Sequence, residues 1–259
     1  MFTSKPIAAV IMPTCNEAGN ITSLITFLCE KIFPHLEHWD AHIVVVDGNS
    51  SDNTVEQVQE RTRLFPQVHL IIEEKKEGIG AAYIKGFRYS IEILKADALI
   101  EFDADWQHPP ETIPRLLKKL DEGFDYCVGS RNIRGGSNGR RTLPRLLFTT
   151  VGGFVARFIL FFPGKYFWLV TDPTSGLKCT RVKNCADKLD LRVEHLYSRE
   201  FGYKVQLLSE TLRTGARYAE IPFIFGSRRA GKSKFNSRVI VDILLSCLKA
   251  RFALNSRKI

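Results

Sequence analysis

The chain has 259 residues, 44% apolar and 25% charged, with 37 basic and 28 acidic side chains and a net charge of +9. That length builds one or at most two domains with a substantial core, and the composition excludes disorder and collagen-like repeats. Residues 1–130 carry 12 basic and 20 acidic side chains and residues 131–259 carry 25 and 8, so an acidic half is joined to a basic half that calls for an anionic partner: phosphate, a membrane surface or nucleic acid.

The first half alternates short apolar runs with helical patterns. Residues 7–12, 42–47, 68–73, 98–102 and 126–129 read as buried strands, and helices are predicted near 18–32, 54–64, 81–94 and 110–122. This is the pattern of βαβ units in an α/β protein with a mostly parallel sheet and flanking helices. The N-terminal segment carries one lysine and a proline-interrupted apolar run, so it does not read as a signal peptide. In the second half, residues 131–145 are rich in glycine and arginine, and 146–170 are largely apolar. The run 146–162 has 17 residues and includes Gly152, Gly153 and Arg157, which predicts a helix in a membrane interface or under the sheet rather than a span. Residues 219–225 are strand-like. Residues 237–254 predict a helix with Val239, Ile240, Ile243, Leu244 and Cys247 apolar and Arg238, Lys249 and Arg251 flanking. A core-packing terminal helix and a membrane-surface helix with a cationic rim both fit it. The cysteines at 15, 29, 127, 179, 185 and 247 have no ligand-like spacing, which argues for small core residues in a reducing compartment and against a disulfide scaffold or zinc finger.

In a parallel sheet, ligands bind beyond the carboxyl ends of the strands. Those ends read Pro13-Thr14-Cys15-Asn16-Glu17, Asp47-Gly48-Asn49-Ser50, Glu77-Gly78-Ile79-Gly80 and Asp103-Ala104-Asp105-Trp106-Gln107-His108. Strand alternation predicts that Asp103, Asp105 and Gln107 point the same way. Two carboxylates so placed, with an amide oxygen, suit Mg²⁺ or Mn²⁺, which complete their shells with water and substrate phosphates. The Gly78-Ile79-Gly80 turn lets backbone approach a ligand or the sheet but lacks the third glycine of a dinucleotide fingerprint. In the basic half, Arg228, Arg229, Lys232, Ser233 and Lys234 all donate well to phosphate.

In this order and spacing the residues resemble the inverting glycosyltransferases of the GT-A fold, and among them the dolichol- and polyprenol-phosphate mannosyltransferases. The pieces are Pro13-Thr14-x-Asn16-Glu17, Val46-Asp47 with Ser50-x-Asp52-x-Thr54, and Gly78-x-Gly80 with Tyr83 and Gly86. They continue with Asp103-Ala104-Asp105-x-Gln107-His108-Pro109, Gly129-Ser130-Arg131, Asp172-x-Thr174-x-Gly176, Glu220-Ile221-Pro222 and Arg228-x-x-Gly231-x-Ser233-Lys234. The resemblance implies a Rossmann-like GT-A catalytic domain over 1–235. Residues 1–130 would form its nucleotide-sugar half, 131–235 its acceptor half, and 236–259 a basic amphipathic helix.

It further implies that Pro13, Glu17, Val46 and Asp47 line the nucleotide pocket, with Thr14, Cys15, Gly48 and Gly80 in the same substrate-binding set. Asp103, Ala104 and Asp105 would hold the metal and the donor diphosphate, with Gln107 as a further metal ligand. Arg131, Arg228 and Lys234 would bind phosphates and, with Asp105, carry catalysis, and Arg229 and Ser233 would add phosphate contacts. The implied reaction moves mannose from GDP-mannose to a dolichyl or polyprenyl phosphate with inversion. The family usually has tyrosine at the position of Cys15 and a second aspartate at that of Gly48, which leaves a UDP-sugar donor open. The implied setting is peripheral, on the cytoplasmic face of a membrane, with a small anchoring subunit as a possible partner. A basic nucleic-acid-binding protein is opposed by the acidic first half and the absence of a binding motif, so no nucleic-acid partner is expected. A non-catalytic membrane scaffold is opposed by the retention of Asp103, Asp105, Arg228 and Lys234.

Overall fold

The computed structural model describes residues 4–139, 143–230 and 237–256. Seven strands form one sheet: β1 (Ile7–Thr14), β2 (Asp40–Asp47), β3 (Val68–Ile72), β4 (Ala98–Glu101), β5 (Tyr126–Ser130), β6 (Lys178–Arg181) and β7 (Tyr218–Pro222). Their order is β3-β2-β1-β4-β6-β5-β7. All neighbours run parallel except β6, which is antiparallel to both β4 and β5. The chain leaves β1 in one direction to build β2 and β3 and returns to its other side for β4. This places the reversal of strand order between β1 and β4, where open α/β sheets form their binding crevice.

The central strands are buried on both sides, which is why they read as continuous apolar runs. Alternation divides them between two cores. Ala8, Val10 and Met12 with Ile43, Val45, Ala98 and Ile100 face α1 (Ile21–Phe27), α2 (Thr54–Leu64) and α4 (Thr112–Asp121). Ala9, Ile11, Val44, Val46 and Leu99 face α3 (Ile79–Glu92) and the start of α7 (Tyr203–Arg213). Helix α4 shows the physics most simply, since Ile113, Leu116, Leu117 and Leu120 at helical spacing are all buried while Lys118 and Lys119 lie in its last turn. Helix α3 sits close to the sheet because Gly86 has no side chain: a Cβ there would fall 2.4 Å from Ile11 Cγ2.

A third core joins α5 (Leu143–Phe161), α6 (Tyr166–Leu169), α7 and α8 (Ser237–Ser256) over β5. Helix α8 buries Cys247 and Ala250 in it while leaving Val241, Leu245 and Phe252 exposed, so it has both a packed and an uncovered face. None of the six cysteines is disulfide-bonded. Burial pushes the thiols of Cys29, Cys127, Cys185 and Cys247 up to about 12, as expected of inert core residues.

Strand β6 is held by polar contacts rather than an apolar run. Lys178 pairs across the sheet with Glu101 at 3.7 Å and donates to Lys204 O at 3.0 Å, and Tyr203 Oη donates to Glu101 Oε2 at 2.9 Å. Burial pushes the Lys178 ammonium down to about 8, against the pull of Glu101.

Candidate active site at the switch point of the sheet

The carboxyl ends of β1, β2 and β4 and the loop after β5 open into one cavity of about 670 Å³. Pro13, Thr14, Cys15 and Glu17 line it from β1, Gly48 from β2, Asp103, Ala104, Asp105 and Gln107 from β4, and Arg131 from β5. Arg228 enters from the loop after β7. Opposite the sheet, Gly152 and Gly153 of α5 and Val239, Ile240, Ile243 and Leu244 of α8 close the cavity with mostly apolar surface.

Asp103 and Asp105 do reach the same cavity, but not by strand alternation. Strand β4 ends at Glu101, and the two aspartates sit in a turn in which Trp106 takes φ +67°. His108 sets the geometry. Its Nδ1 accepts the Asp103 amide at 3.0 Å, and its Nε2 lies 3.5 Å from Asp103 Oδ2. The ring packs edge-on against Phe102, Phe223 and Phe225. Burial pushes His108 down to about 4, so at neutral pH it is the uncharged tautomer with its proton on Nε2, facing Asp103. Tyr83 Oη donates to Asp103 Oδ1 at 3.2 Å.

The two carboxyls are tuned apart. Burial works against ionisation of Asp103, yet His108, Lys204, the Tyr83 hydroxyl and Arg228 hold it below the usual carboxylate range. Asp105 is pushed up to about 6 by burial and by the neighbouring Asp103 charge, with Arg228 opposing. Arg228 bridges two acidic partners, donating from Nη2 to Asp105 Oδ2 at 2.6 Å and from Nη1 to Glu17 Oε1 at 3.2 Å. Its Nε is buried with no partner among the described residues. Asn20 Nδ2 steadies Glu17 at 2.8 Å. The guanidinium thus stands where a cation is demanded by two buried carboxylates.

Other sequence expectations need correction. Val46 and Asp47 do not line the cavity. Val46 is a fully buried core residue beneath α3. Asp47 is also fully buried, and its two oxygens accept from Thr14 Oγ1 (2.7 Å), Ser50 N (2.7 Å) and Ser50 Oγ (2.6 Å). It fixes the β1 and β2 ends to each other. Gly80 is a packing residue whose amide donates to Arg199 O at 2.7 Å and whose Cβ would strike Tyr203. Arg229 turns away and stacks on Trp106, its guanidinium carbon 3.5 Å from the ring centroid. Arg131 reaches the cavity but already forks onto Asp172, with Nε–Oδ2 at 2.7 Å and Nη2–Oδ1 at 2.6 Å. Ser233 and Lys234 lie outside the described residues.

The structure adds residues that the sequence did not single out. Glu73 and Lys76 line the cavity beside Gly48, and Lys204, buried in α7, lines it near Asp103. A lysine on a helix ordinarily reads as solvated, so Lys204 left no signal.

The residues present fit a hard divalent cation. The donor set is two carboxylates, Asp103 and Asp105, with Gln107, whose Nε2 turns to Gly226 O at a long 3.5 Å. No group of three or more metal-ligating side chains occurs among the described residues. A cation that takes most of its ligands from water and phosphate suits such a sparse set.

Comparison with known proteins agrees with this geometry. Residues 9–174 match the sequence profile of glycosyl transferase family 2. The chain is 33% identical over 238 residues to a dolichol-phosphate mannosyltransferase of Pyrococcus furiosus, covering 91% of this chain and 61% of that one. It therefore spans about three-fifths of the length of that relative. It is 30% identical over 237 residues to an undecaprenyl-phosphate mannosyltransferase of Micrococcus luteus, covering 91% and 90%, and 30% identical over 243 residues to a dolichol-phosphate mannosyltransferase of Saccharomyces cerevisiae, covering 91% and 84%. Among solved structures, mannosyl-3-phosphoglycerate synthase of Rubrobacter xylanophilus superposes with TM-score 0.64 at 16% identity over 98% of this chain and 74% of that one. Glucosyl-3-phosphoglycerate synthase of Mycobacterium tuberculosis, solved with Mn²⁺, uridine diphosphate and phosphoglyceric acid, superposes with TM-score 0.61 at 18% identity over 96% and 79%. At these identities the structural likeness is one of fold.

Proposed function

The chain belongs to glycosyl transferase family 2 and has the GT-A fold, and from that premise we propose that it transfers mannose from GDP-mannose to a polyprenyl phosphate with inversion. One observation carries the reading. A single cavity joins the carboxylates of Asp103 and Asp105 to the apolar wall of α5 and α8, so a charged donor and a greasy acceptor meet in one space.

The acceptor phosphate is already anionic near neutral pH, so its oxygen needs no base. This fits a site whose one histidine, His108, is buried, uncharged and engaged with Asp103 through both ring nitrogens. The attacking oxygen forms a bond to the anomeric carbon as the bond from that carbon to the donor diphosphate breaks, and displacement from the opposite face inverts the centre. The chain's task is to bring two anions together. Arg131, held rigid by Asp172, and Arg228 supply the positive field, and Lys204 adds to it from below. Asp103, Asp105 and Gln107 would hold Mg²⁺ or Mn²⁺, which when bound supplies Lewis-acid stabilisation of the leaving diphosphate.

The acceptor's tail points to a membrane surface. No helix among the described residues is long and apolar enough to cross a membrane. Helices α5, α6 and α8 instead expose Phe154, Phe158, Trp168, Leu245 and Phe252, with Trp168 76% exposed. Arg157, which stacks 4.9 Å from the Phe167 ring centroid, lies in the same patch. An aromatic face with cations beside it is the composition of a peripheral, interfacial attachment. Replacing Phe158 and Trp168 together with glutamate is expected to lower partition onto anionic vesicles by at least about a hundredfold. Flotation assays measure this, and the melting temperature should fall only slightly, since Trp168 is largely exposed and Phe158 gives up its stacking on Phe162.

The test of the reaction is incubation of labelled GDP-mannose or a UDP-sugar with polyprenyl phosphate and Mn²⁺. The expected product is a β-linked polyprenyl phosphate mannose formed from the guanosine donor. Turnover of the uridine donor alone would assign the other hexose chemistry, and no lipid-linked product from either would overturn the reading.

A further inference from the structure

One end of the cavity is bounded by the ends of β1, β2 and β3, where Gly48 leaves a gap. A Cβ built on Gly48 would lie 3.5 Å from Glu73 Oε2, 3.5 Å from Lys76 Cγ and 3.5 Å from Thr14 O. Glu73 directly follows β3, and its amide donates to Asp47 O at 2.8 Å, which locks its position against the β2 end. Its side chain is 1% exposed. Oε1 is tied to Lys85 Nζ at 2.7 Å, and that ammonium also meets Glu77 at 2.8 Å. Oε2 lies at Gly48, and no donor among the described residues comes within hydrogen-bond distance of it. Glu73 and Gly48 both line the cavity, so this oxygen stands where it can accept an N–H from a ligand.

Its place says which part of the ligand. Strand β3 stands three strand spacings from β4 in the order β3-β2-β1-β4, about 14 Å from the Asp103 turn. That is roughly the reach of a nucleoside diphosphate from its phosphates to the edge of its base. Guanine presents N1–H and the 2-amino group side by side, two donors for one carboxylate. Uracil presents a single N3–H between two carbonyls, and their lone pairs repel the carboxylate.

Resting on the nucleotide-sugar donor of the proposed function, we propose that Glu73 is the residue that reads the donor base and selects guanine. It fills, from the neighbouring strand, the space that Gly48 leaves vacant. Lys85 and Glu77 position it, and Lys76 at the same edge of the cavity completes the base-binding wall.

The experiment is calorimetric titration of the full chain, with Mn²⁺ present, using GDP, inosine diphosphate and UDP. Inosine diphosphate differs from GDP only in lacking the 2-amino group, so it probes the contact on the unmodified protein. The wild type is expected to bind GDP at least about tenfold more tightly than inosine diphosphate or UDP. Glu73→Gln is expected to weaken GDP about thirtyfold, to bind GDP and inosine diphosphate alike, and to leave UDP within about threefold. Gly48 accepts a side chain without backbone strain, so adding Gly48→Asp to Glu73→Gln should recover most of the lost GDP affinity. Three results overturn the proposal: GDP affinity within twofold of wild type in Glu73→Gln, an equal loss for all three nucleotides, or wild-type preference for UDP. A wild type that binds no nucleoside diphosphate overturns the glycosyltransferase reading itself, a different outcome from a wild type that binds GDP regardless of Glu73. If Glu73→Gln does not fold, the GDP-to-inosine-diphosphate ratio on the wild type still decides the matter, since equal affinities refute the contact.

Discussion

Replacing Asp105 with asparagine is expected to lower kcat/KM for sugar transfer by about a thousandfold while leaving the fold intact. Asparagine keeps the shape and accepts the Gln107 amide as Asp105 Oδ1 does at 3.0 Å, but removes the charge that faces Arg228 and the proposed cation. Stability should move the other way from activity. The Asp105 carboxyl is pushed up to about 6 by burial and the Asp103 charge, so the fold favours its protonated form. Its contribution to stability is therefore greatest at low pH and is lost as pH rises through about 6. Asparagine carries no charge at either end of that window. Metal-free Asp105→Asn should thus be at least as stable as the wild type at pH 7.5, with the difference shrinking towards pH 4. Urea unfolding in the presence of a chelator measures this, and transfer assays across a Mn²⁺ series measure the activity. Activity within tenfold of wild type would remove Asp105 from the chemistry. A collapse of stability at pH 7.5 would make it a structural residue.

The parts of this molecule that were legible in sequence share one property: burial on a repeating face. Strands β1 to β5 and helices α1 to α4 announce themselves because Val10, Ile43 and Ile100, or Ile113, Leu116 and Leu120, recur at the period of their element. Strand β6 did not, because its four residues Lys178–Arg181 are joined to the sheet by a buried lysine and Glu101 rather than by apolar side chains. Helix α7 was hidden in the same way, for Lys204, Gln206, Ser209 and Thr211 are all buried in it and erase the contrast between its faces. The site divides along a similar line. The strand-end rule located the cavity, and the two aspartates line it. Parity gave the right convergence for the wrong reason, since His108 and the turn at Trp106 bring them together. Parity also has no means of telling a carboxylate that faces a ligand from one that faces its own chain. Asp47 is the second kind, its oxygens taken by Thr14 and Ser50, and Glu73 from the next strand stands at the gap beside it.

Arg228→Met is expected to separate two roles of one guanidinium, because its effects on metal binding and on turnover should have opposite signs. In the structure Arg228 Nη2 holds Asp105 Oδ2 at 2.6 Å, an oxygen that a divalent cation would also claim. Methionine fills similar space without competing for that oxygen, so Mn²⁺ affinity in the absence of nucleotide should rise severalfold. Turnover should fall by about a hundred- to a thousandfold, since the cation that offsets repulsion between donor and acceptor phosphates is gone. Stability of the metal-free protein should fall as well, because Glu17 and Asp105 are left buried without their partner. Arg228 retains about a fifth of its side-chain exposure, which tempers that loss to about 1–3 kcal/mol. Saturating Mn²⁺ should restore most of the lost melting temperature by replacing one positive charge with another. Titration calorimetry of Mn²⁺, thermal unfolding with and without the metal, and single-turnover transfer assays give the three readouts. A fall in Mn²⁺ affinity would show instead that Arg228 organises the carboxylates for the metal. Unchanged turnover would leave the phosphates to Arg131, which its fork onto Asp172 holds at the cavity wall.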